Sequence, residues 1–412
     1  MTKTMSRGAL RLLAHAGDLA LRTGLPILRL DGDALRTWAE RRTGLDDWGP
    51  DFQEEAFERV LHAGRTDARL NFVGRLTLSG AVSACLVGWL QLIEAAKNHP
   101  GRLEQPVAPM VLVLGLPRSG TTALHHLLCA HPDAMYLPLW LAIHPMPPPT
   151  ADEWRAGGAA RRRWRAHQLA FLLHGLIPDM ERMHRYGPDL PVEDTYLTLP
   201  AFLSNQWGAW PLYSFFDWAE TADRHAAYRC HNRHLQLMQH RLPGSHWILK
   251  SPGHLLGLED LLEACPDAQI VMTHRDPAAV FGSLGSMMSA HHDMTSHHVD
   301  HTRMQRLLVR HFERGANAYV EMRESHPERF LDVTLESFAE DPLAVAHLIA
   351  SRRGLRWDDE VEACLRAHLA ARGKRLGRRH RYSLSQSGMT PGHVRRRFAS
   401  YIEASGVQRD RP

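Results

Sequence analysis

The sequence predicts an α/β fold: a P-loop-type parallel sheet flanked by helices, with a helical N-terminal region and a helical insertion. Three observations carry this expectation. Apolar runs of strand length alternate with helical stretches, as a parallel sheet covered on both faces requires. The first such run, residues 110–114, enters a glycine loop that opens directly into a helix. Asp-Pro pairs at 276–277 and 341–342 each follow a strand candidate, with Asp as the N-cap and Pro at the first helical position.

In chain order, residues 1–105 have apolar positions recurring at three and four, which predicts a helical N-terminal region packed on the core. The first residues look like an amphipathic helix rather than a signal peptide. The most apolar run, residues 78–93, is shorter than the ~20 residues a bilayer crossing takes and carries Ser and Gln, so a buried helix is expected. Pro and Gly in 98–106 end this region, and residues 106–412 read as the α/β domain. Its strands are expected at 110–114, 247–249, 269–274 and 329–334. Leu124, Leu127, Leu128 and His131 give the helix after the glycine loop a stripe that packs on a sheet. Residues from about 150 to 244 are expected as a helical insertion over the sheet, and a basic cap closes the C-terminal part.

The composition is that of a globular protein, 44% hydrophobic and 23% charged, which argues against disorder and fibrous repeats. A net charge of +4 does not imply a nucleic-acid partner. Arginines cluster at 161–165, read as a solvated face, and at 372–381. The five cysteines (Cys85, Cys129, Cys230, Cys265, Cys364) form no C-x-x-C pair, so no disulfide framework or zinc knuckle is indicated and a cytoplasmic location is expected. His297 and His301 lie one helical turn apart with Asp300 between them. The chain carries 28 histidines throughout and nothing orders these as ligands, so a solvated or pocket-rim loop is favoured over zinc.

The chemistry starts at "GLPRSGTT", residues 115–122. A strand-to-helix turn aims backbone N–H groups and the positive end of a helix dipole at an anion. Gly115 and Gly120 allow close backbone approach, Ser119, Thr121 and Thr122 supply hydroxyls, and Arg118 supplies a cation. The nucleotide triphosphatase loop would have lysine at position 121. Without it, a smaller phosphate donor fits better than a triphosphate with magnesium, and a tight turn with no ligand is the alternative. A second junction, "HRDPAAVFGS", places Arg275 at a strand end and Ser283 about two helical turns on. Alone it could be a capped helix start; two anion sites at two junctions describe a nucleotide with two separate phosphates.

With these residues the chain resembles the sulfotransferases that use 3′-phosphoadenosine 5′-phosphosulfate (PAPS), in their bacterial-type branch. "GLPRSGTT" is similar to the family loop for the 5′-phosphosulfate, and "HRDPAAVFGS" to its 3′-phosphate motif, matching Arg275 and Ser283. "WILKSPGHLLGLEDLLEACPDAQIVMTHRDP", "FLDVTLESFAEDPLAVAHLI" and "RRHRYSLSQSGMTPGHVRRRF" agree in order and spacing, so the resemblance spans roughly residues 70–401 with gaps. It implies PAPS as co-substrate, no metal, and transfer to a hydroxyl or amine of a small or lipid-like acceptor. By the same resemblance Lys250 corresponds to the lysine near the bridging oxygen, where an exposed strand-end lysine is the alternative. A late basic loop implies a cap on the 3′-phosphate, with Arg381 and Tyr382 the first choices there.

The base is less direct. The cytosolic branch has a histidine two residues after the lysine, and here Pro252 stands in that place. The candidates are Glu193 and Asp194 in "LPVEDTYL", His254 and His184. Glu193 comes first and His254 second; a helix N-terminal charge pair is the alternative for the two carboxylates. Residues 196–218 are rich in Trp, Phe and Tyr, expected mostly as core and in part as an apolar acceptor pocket. Two other classes compete with a sulfotransferase: a nucleoside-triphosphate-dependent kinase on the same loop, against which Thr121 and the Arg275/Ser283 pair argue, and a non-catalytic nucleotide-binding protein.

Overall fold

The structure is a computed structural model that describes residues 14–20, 30–177, 180, 185–373 and 389–407. Helices before the sheet include α1 (Gly32–Thr43), α2 (Glu54–Arg65) and α3 (Phe72–Asn98). The sheet is built from β1 (Met110–Gly115), β2 (Ala134–Met135), β3 (His246–Lys250), β4 (Gln269–His274) and β5 (Phe330–Thr334). All pairings are parallel, in the order β2-β3-β1-β4-β5.

Alternation along each strand divides the core in two. Met110, Leu112 and Leu114 of β1, with Trp247 and Leu249 of β3 and Ile270 and Met272 of β4, join the core that includes Phe57, Leu86 and Trp89 of the N-terminal helices. Val111, Val113, Ile248 and Val271 face the other way. There they meet α4 (Thr121–Leu128), α10 (Pro342–Arg353) and α11 (Asp359–Gly373) through Leu124, Leu127, Ile349 and Leu365. The same core as the N-terminal helices takes in residues of the helices α5 (Ala160–Leu176), α6 (Tyr213–Ala219) and α7 (His225–Gln239), and of the long pair α8 (Pro277–Thr295) and α9 (His301–Ser325). Two short helices, α12 (Pro391–Arg397) and α13 (Ala399–Ser405), pack against α8 and α9.

The sequence-derived strands at 110–114, 247–249, 269–274 and 329–334 agree with β1, β3, β4 and β5 to within one residue at each end. β2 has only two residues, too few to carry a periodic signal. Asp276 and Asp341 cap their helices as expected, each accepting from backbone N–H groups of the first turn.

Two expectations change. Helix α3 has 27 residues rather than the shorter run anticipated, and by length and composition alone it could cross a membrane. Its Leu78, Val82, Leu86, Trp89 and Ile93 instead pack in the same core as the sheet. The arginines at 161–165 are not simply a solvated face. Arg162 donates to His144 O at 2.8 Å, Arg163 holds Asp189 with both Nη atoms, and only Arg161 and Trp164 stand fully out.

The order of strands fixes where a ligand can sit. β1 is central: β2 and β3 lie on one side of it, and the chain then crosses over to add β4 and β5 on the other. In register, Val113 lies beside Lys250 and Gly115 beside Thr273, so the loops after β1, β3 and β4 open at one edge. This switch point at the carboxyl ends of the strands is where open α/β sheets bind ligands.

Candidate active site

Gly115 ends β1 with φ +147, and a Cβ there would lie 2.3 Å from Thr273 Oγ1 and 2.5 Å from Thr273 O. Only glycine lets the first loop approach β4 this closely. Ser119, 1% exposed, turns its hydroxyl into the floor of the loop, 2.6 Å from both Leu116 O and Thr273 Oγ1. Arg118 (φ +70) and Gly120 (φ +97) are left-handed and swing the chain into α4. No side chain caps that helix, so Thr121 and Thr122 head its dipole.

The second junction meets the first. Arg275 follows β4 directly, and its Nη1 donates to Arg118 O at 3.0 Å. Ser283, buried in α8, accepts from Arg118 Nε at 3.0 Å. The C-terminal helices brace this corner. Arg395 of α12 pairs with Asp276, and the Tyr401 hydroxyl of α13 lies 3.0 Å from His274 Nδ1 and accepts from the Arg275 backbone. Arg381, Tyr382 and His184 lie outside the described residues.

Lys250, at the end of β3, is 1% exposed and donates to Glu193 Oε1 at 3.2 Å. Glu193 Oε2 accepts from Ser251 Oγ and Gln206 Nε2, both at 2.9 Å, and from Asn205 Nδ2 at 3.4 Å. All four partners are donors, the pattern of an ionised, acceptor-only carboxylate. Tyr186 and Tyr196 lie close by; burial, reinforced by the Glu193 charge, pushes both phenols up, so they remain O–H groups.

His254 is placed differently from Glu193. Its ring is 1% exposed, with Nε2 2.8 Å from Asp194 Oδ2 and Nδ1 3.1 Å from the Tyr228 hydroxyl. It faces the core, whereas Glu193 faces a cavity.

That cavity, about 200 Å³, is lined by Pro117 of the first loop and by Glu193. Leu284, Met287, Met288, Met304, Leu307 and Phe312 of α8 and α9 form much of its wall, with Tyr196, Trp210, Tyr213 and Phe216 from the aromatic stretch. Phe202, Trp207 and Phe215 of the same stretch are core. His292 and His311 also line the cavity. Burial pushes the His292 imidazole down to about 4; it pushes His311 down as well, helped by Arg310 and Arg224, although His311 Nε2 lies 2.8 Å from Glu220 Oε1. His297 and His301 are exposed and lie near Asp18 and Asp293.

Sequence reading missed Ser251, Asn205, Gln206 and Thr273. Ser251 is adjacent to Lys250 and could have been found from that neighbour; the others come from elements whose packing alone brings them in.

The family model described as "Sulfotransferase family" matches residues 109–359, more than half of the chain. Among solved structures, sulfotransferase STF9 from Mycobacterium avium is 27% identical with a TM-score of 0.82, over 92% of this chain and 98% of that one. Sulfotransferase STF1 from Mycobacterium tuberculosis H37Rv is 28% identical with a TM-score of 0.76, over 90% and 98%. No curated protein matches the sequence. The matched span runs from the start of β1 past β5, so it takes in the loops after β1 and β4 and the Glu193–Lys250 pair, and the chain belongs to the sulfotransferase family.

Proposed function

We propose that the protein transfers a sulfuryl group from PAPS to the hydroxyl of a small or lipid-like apolar acceptor. One observation carries the reading: Pro117 of the glycine loop and Glu193 line the same cavity, whose other walls are largely Met, Leu and aromatic side chains. This supports a donor loop that borders the acceptor pocket, with Glu193 in the pocket and Lys250 bonded to Glu193.

In this reading the loop from Gly115 to Thr122 holds the 5′-phosphosulfate. The steric cradle at Gly115, the helix start at Thr121 and the Arg118 guanidinium suit a compact anion. Ser119 works by shaping the loop rather than by reaching outward. Arg275 and Ser283 take the 3′-phosphate; their contacts to Arg118 tie the two phosphate sites together.

Transfer is an in-line displacement. A bond forms from the acceptor oxygen to sulfur, and the bond from sulfur to the bridging oxygen breaks, its electron pair leaving with the 5′-phosphate. Glu193 takes the acceptor proton, a role that typically contributes ~10²–10⁴-fold. Lys250 steadies charge on the departing oxygen. The largely apolar wall excludes water and favours acceptors whose only polar group is the reacting one. Its Met, Leu and aromatic lining suits a ring or a chain end better than a sugar, whose hydroxyls would find few partners there.

The test pairs calorimetry with turnover. Tight binding of 3′,5′-bisphosphoadenosine without Mg²⁺ is expected, whereas Mg²⁺-dependent ATP binding would point to a kinase. Glu193→Gln is expected to lower sulfation of a phenol or fatty alcohol by ~10²-fold or more at nearly unchanged donor affinity. Donor binding with no transfer across phenol, sterol and sugar acceptors would leave a nucleotide-binding protein.

A further inference from the structure

Glu193 and Asp194 sit on one stretch of backbone and face opposite ways. Glu193 is extended (φ −72, ψ 137) and precedes the 3₁₀ turn Asp194–Ala201, so successive side chains diverge. Glu193 reaches the cavity, while Asp194 is 0% exposed. A buried carboxylate needs compensation, and here two imidazoles supply it at a single oxygen. Asp194 Oδ2 lies 2.9 Å from His231 Nε2 and 2.8 Å from His254 Nε2, and Oδ1 has no hydrogen-bond partner.

Counting protons defines the cluster. Asn232 donates its Nδ2 to Ala264 O at 2.8 Å, which turns its Oδ1 toward His231 Nδ1 at 3.1 Å. His231 therefore meets an acceptor at each nitrogen, and the imidazolium satisfies both. His254 meets Asp194 at one nitrogen and the Tyr228 hydroxyl, which can donate, at the other, so its neutral form suffices. The sum is one carboxylate and one imidazolium, neutral as a unit. A tetrahedral zinc would hold its ligand atoms about 3.3 Å apart, wider than these contacts.

The two ends of the clamp belong to the same strand terminus. Lys250 and Ser251 hold Glu193 from one side, and His254, three residues further on, holds Asp194 from the other. His231 adds a tie to α7. We propose that Asp194 is a positioning residue: its buried cluster with His231 and His254 fixes the direction in which Glu193 presents its carboxylate to the acceptor. The proposal rests on the reading of Glu193 as the base.

A double-mutant cycle in the full chain tests it. Asp194→Asn is expected to lower turnover ~10–100-fold, the scale of a slightly misplaced catalytic group, with bisphosphoadenosine affinity within about twofold of wild type. In the Glu193→Gln background it is expected to cost almost nothing further. Asp194→Asn lowering turnover by the same factor in both backgrounds would overturn the proposal, because a general structural role acts whether or not Glu193 is present. Should Asp194→Asn fail to fold, the contrast of His254→Gln with His254→Ala replaces it, since Gln retains a donor and is expected to keep most of the turnover that Ala loses; equal losses would overturn it. One equivalent of bound zinc in the purified protein would also do so. Wild-type turnover in Glu193→Gln would remove the base assignment and this proposal together, whereas an additive cycle removes only the latter.

Discussion

Arg118 Nε donates to Ser283 Oγ at 3.0 Å, joining a loop and a helix that are 165 residues apart in sequence. The contact makes the two strand-to-helix junctions one surface, and Arg275, bonded to Arg118 O, completes it. In the proposed function a ligand with two separated phosphates engages both ends at once.

Arg275→Ala is accordingly expected to weaken 3′,5′-bisphosphoadenosine about 10- to 100-fold, the range of a lost charge-assisted hydrogen bond. Binding of 5′-AMP, which lacks the second phosphate, should change far less. Calorimetric titration of both ligands checks this, and equal losses would break the two-phosphate reading.

Gly115→Ala should act through shape. The added methyl would meet Thr273 Oγ1 at 2.3 Å and the Thr273 carbonyl at 2.5 Å, at a φ of +147 that side chains resist. Overpacking of this kind costs about 1–3 kcal/mol, and donor affinity should fall with it. Urea denaturation and titration, run side by side, measure the two effects.

Lys250→Met should separate chemistry from binding. Its ammonium is buried against Glu193, and Met conserves much of the volume. Removing a donor aimed at developing charge costs ~10²–10³-fold in turnover, while the affinity for bisphosphoadenosine should change much less. Single-turnover kinetics with saturating donor read the first quantity directly.

The histidines divide by environment, and their pH behaviour should follow. His292, pushed down to about 4 by burial, should show no titration between pH 5.5 and 8 by NMR. His225 is partly exposed and lies between Glu263 and Asp223, which raise it to about 9, so it should stay charged over the same range. The stability consequences have opposite signs. An unfolded histidine titrates near 6.5, so His292 costs stability as pH falls from about 6.5 toward 4, because the unfolded chain takes up a proton the fold refuses. The His225 contribution is complete below about 6.5 and is lost as pH rises through 9. Denaturation midpoints for the wild type and a His225→Gln variant at pH 5, 7 and 10 test both directions.

The parts legible in the sequence are those whose signal is local. β1, β4 and the capped start of α8 follow from apolar runs and an Asp-Pro pair, because strand burial and helix capping are decided within a few residues. Glu193 and Lys250 were named from a motif and a strand end, and the fold places them 3.2 Å apart. The buried cluster was not legible as such. Asp194 and His254 entered only as candidate bases, and His231 did not enter at all, since partners 37 and 60 residues away leave no periodic trace. The run at 161–165 misled for the same reason: whether an arginine is solvated or tied to a carbonyl is settled by what folds over it.

The brace supplied by α12 and α13 bears on how the site is assembled during synthesis. The strands and the glycine loop are all made before residue 335, yet the backbone of Arg275 and the cap at Asp276 are held by Tyr401 and Arg395. A nascent chain that has already built its strands therefore still lacks the brace on the junction after β4. In the proposed function that junction belongs to the donor site, so the brace is completed only when the segment through residue 401 has left the ribosome and docked.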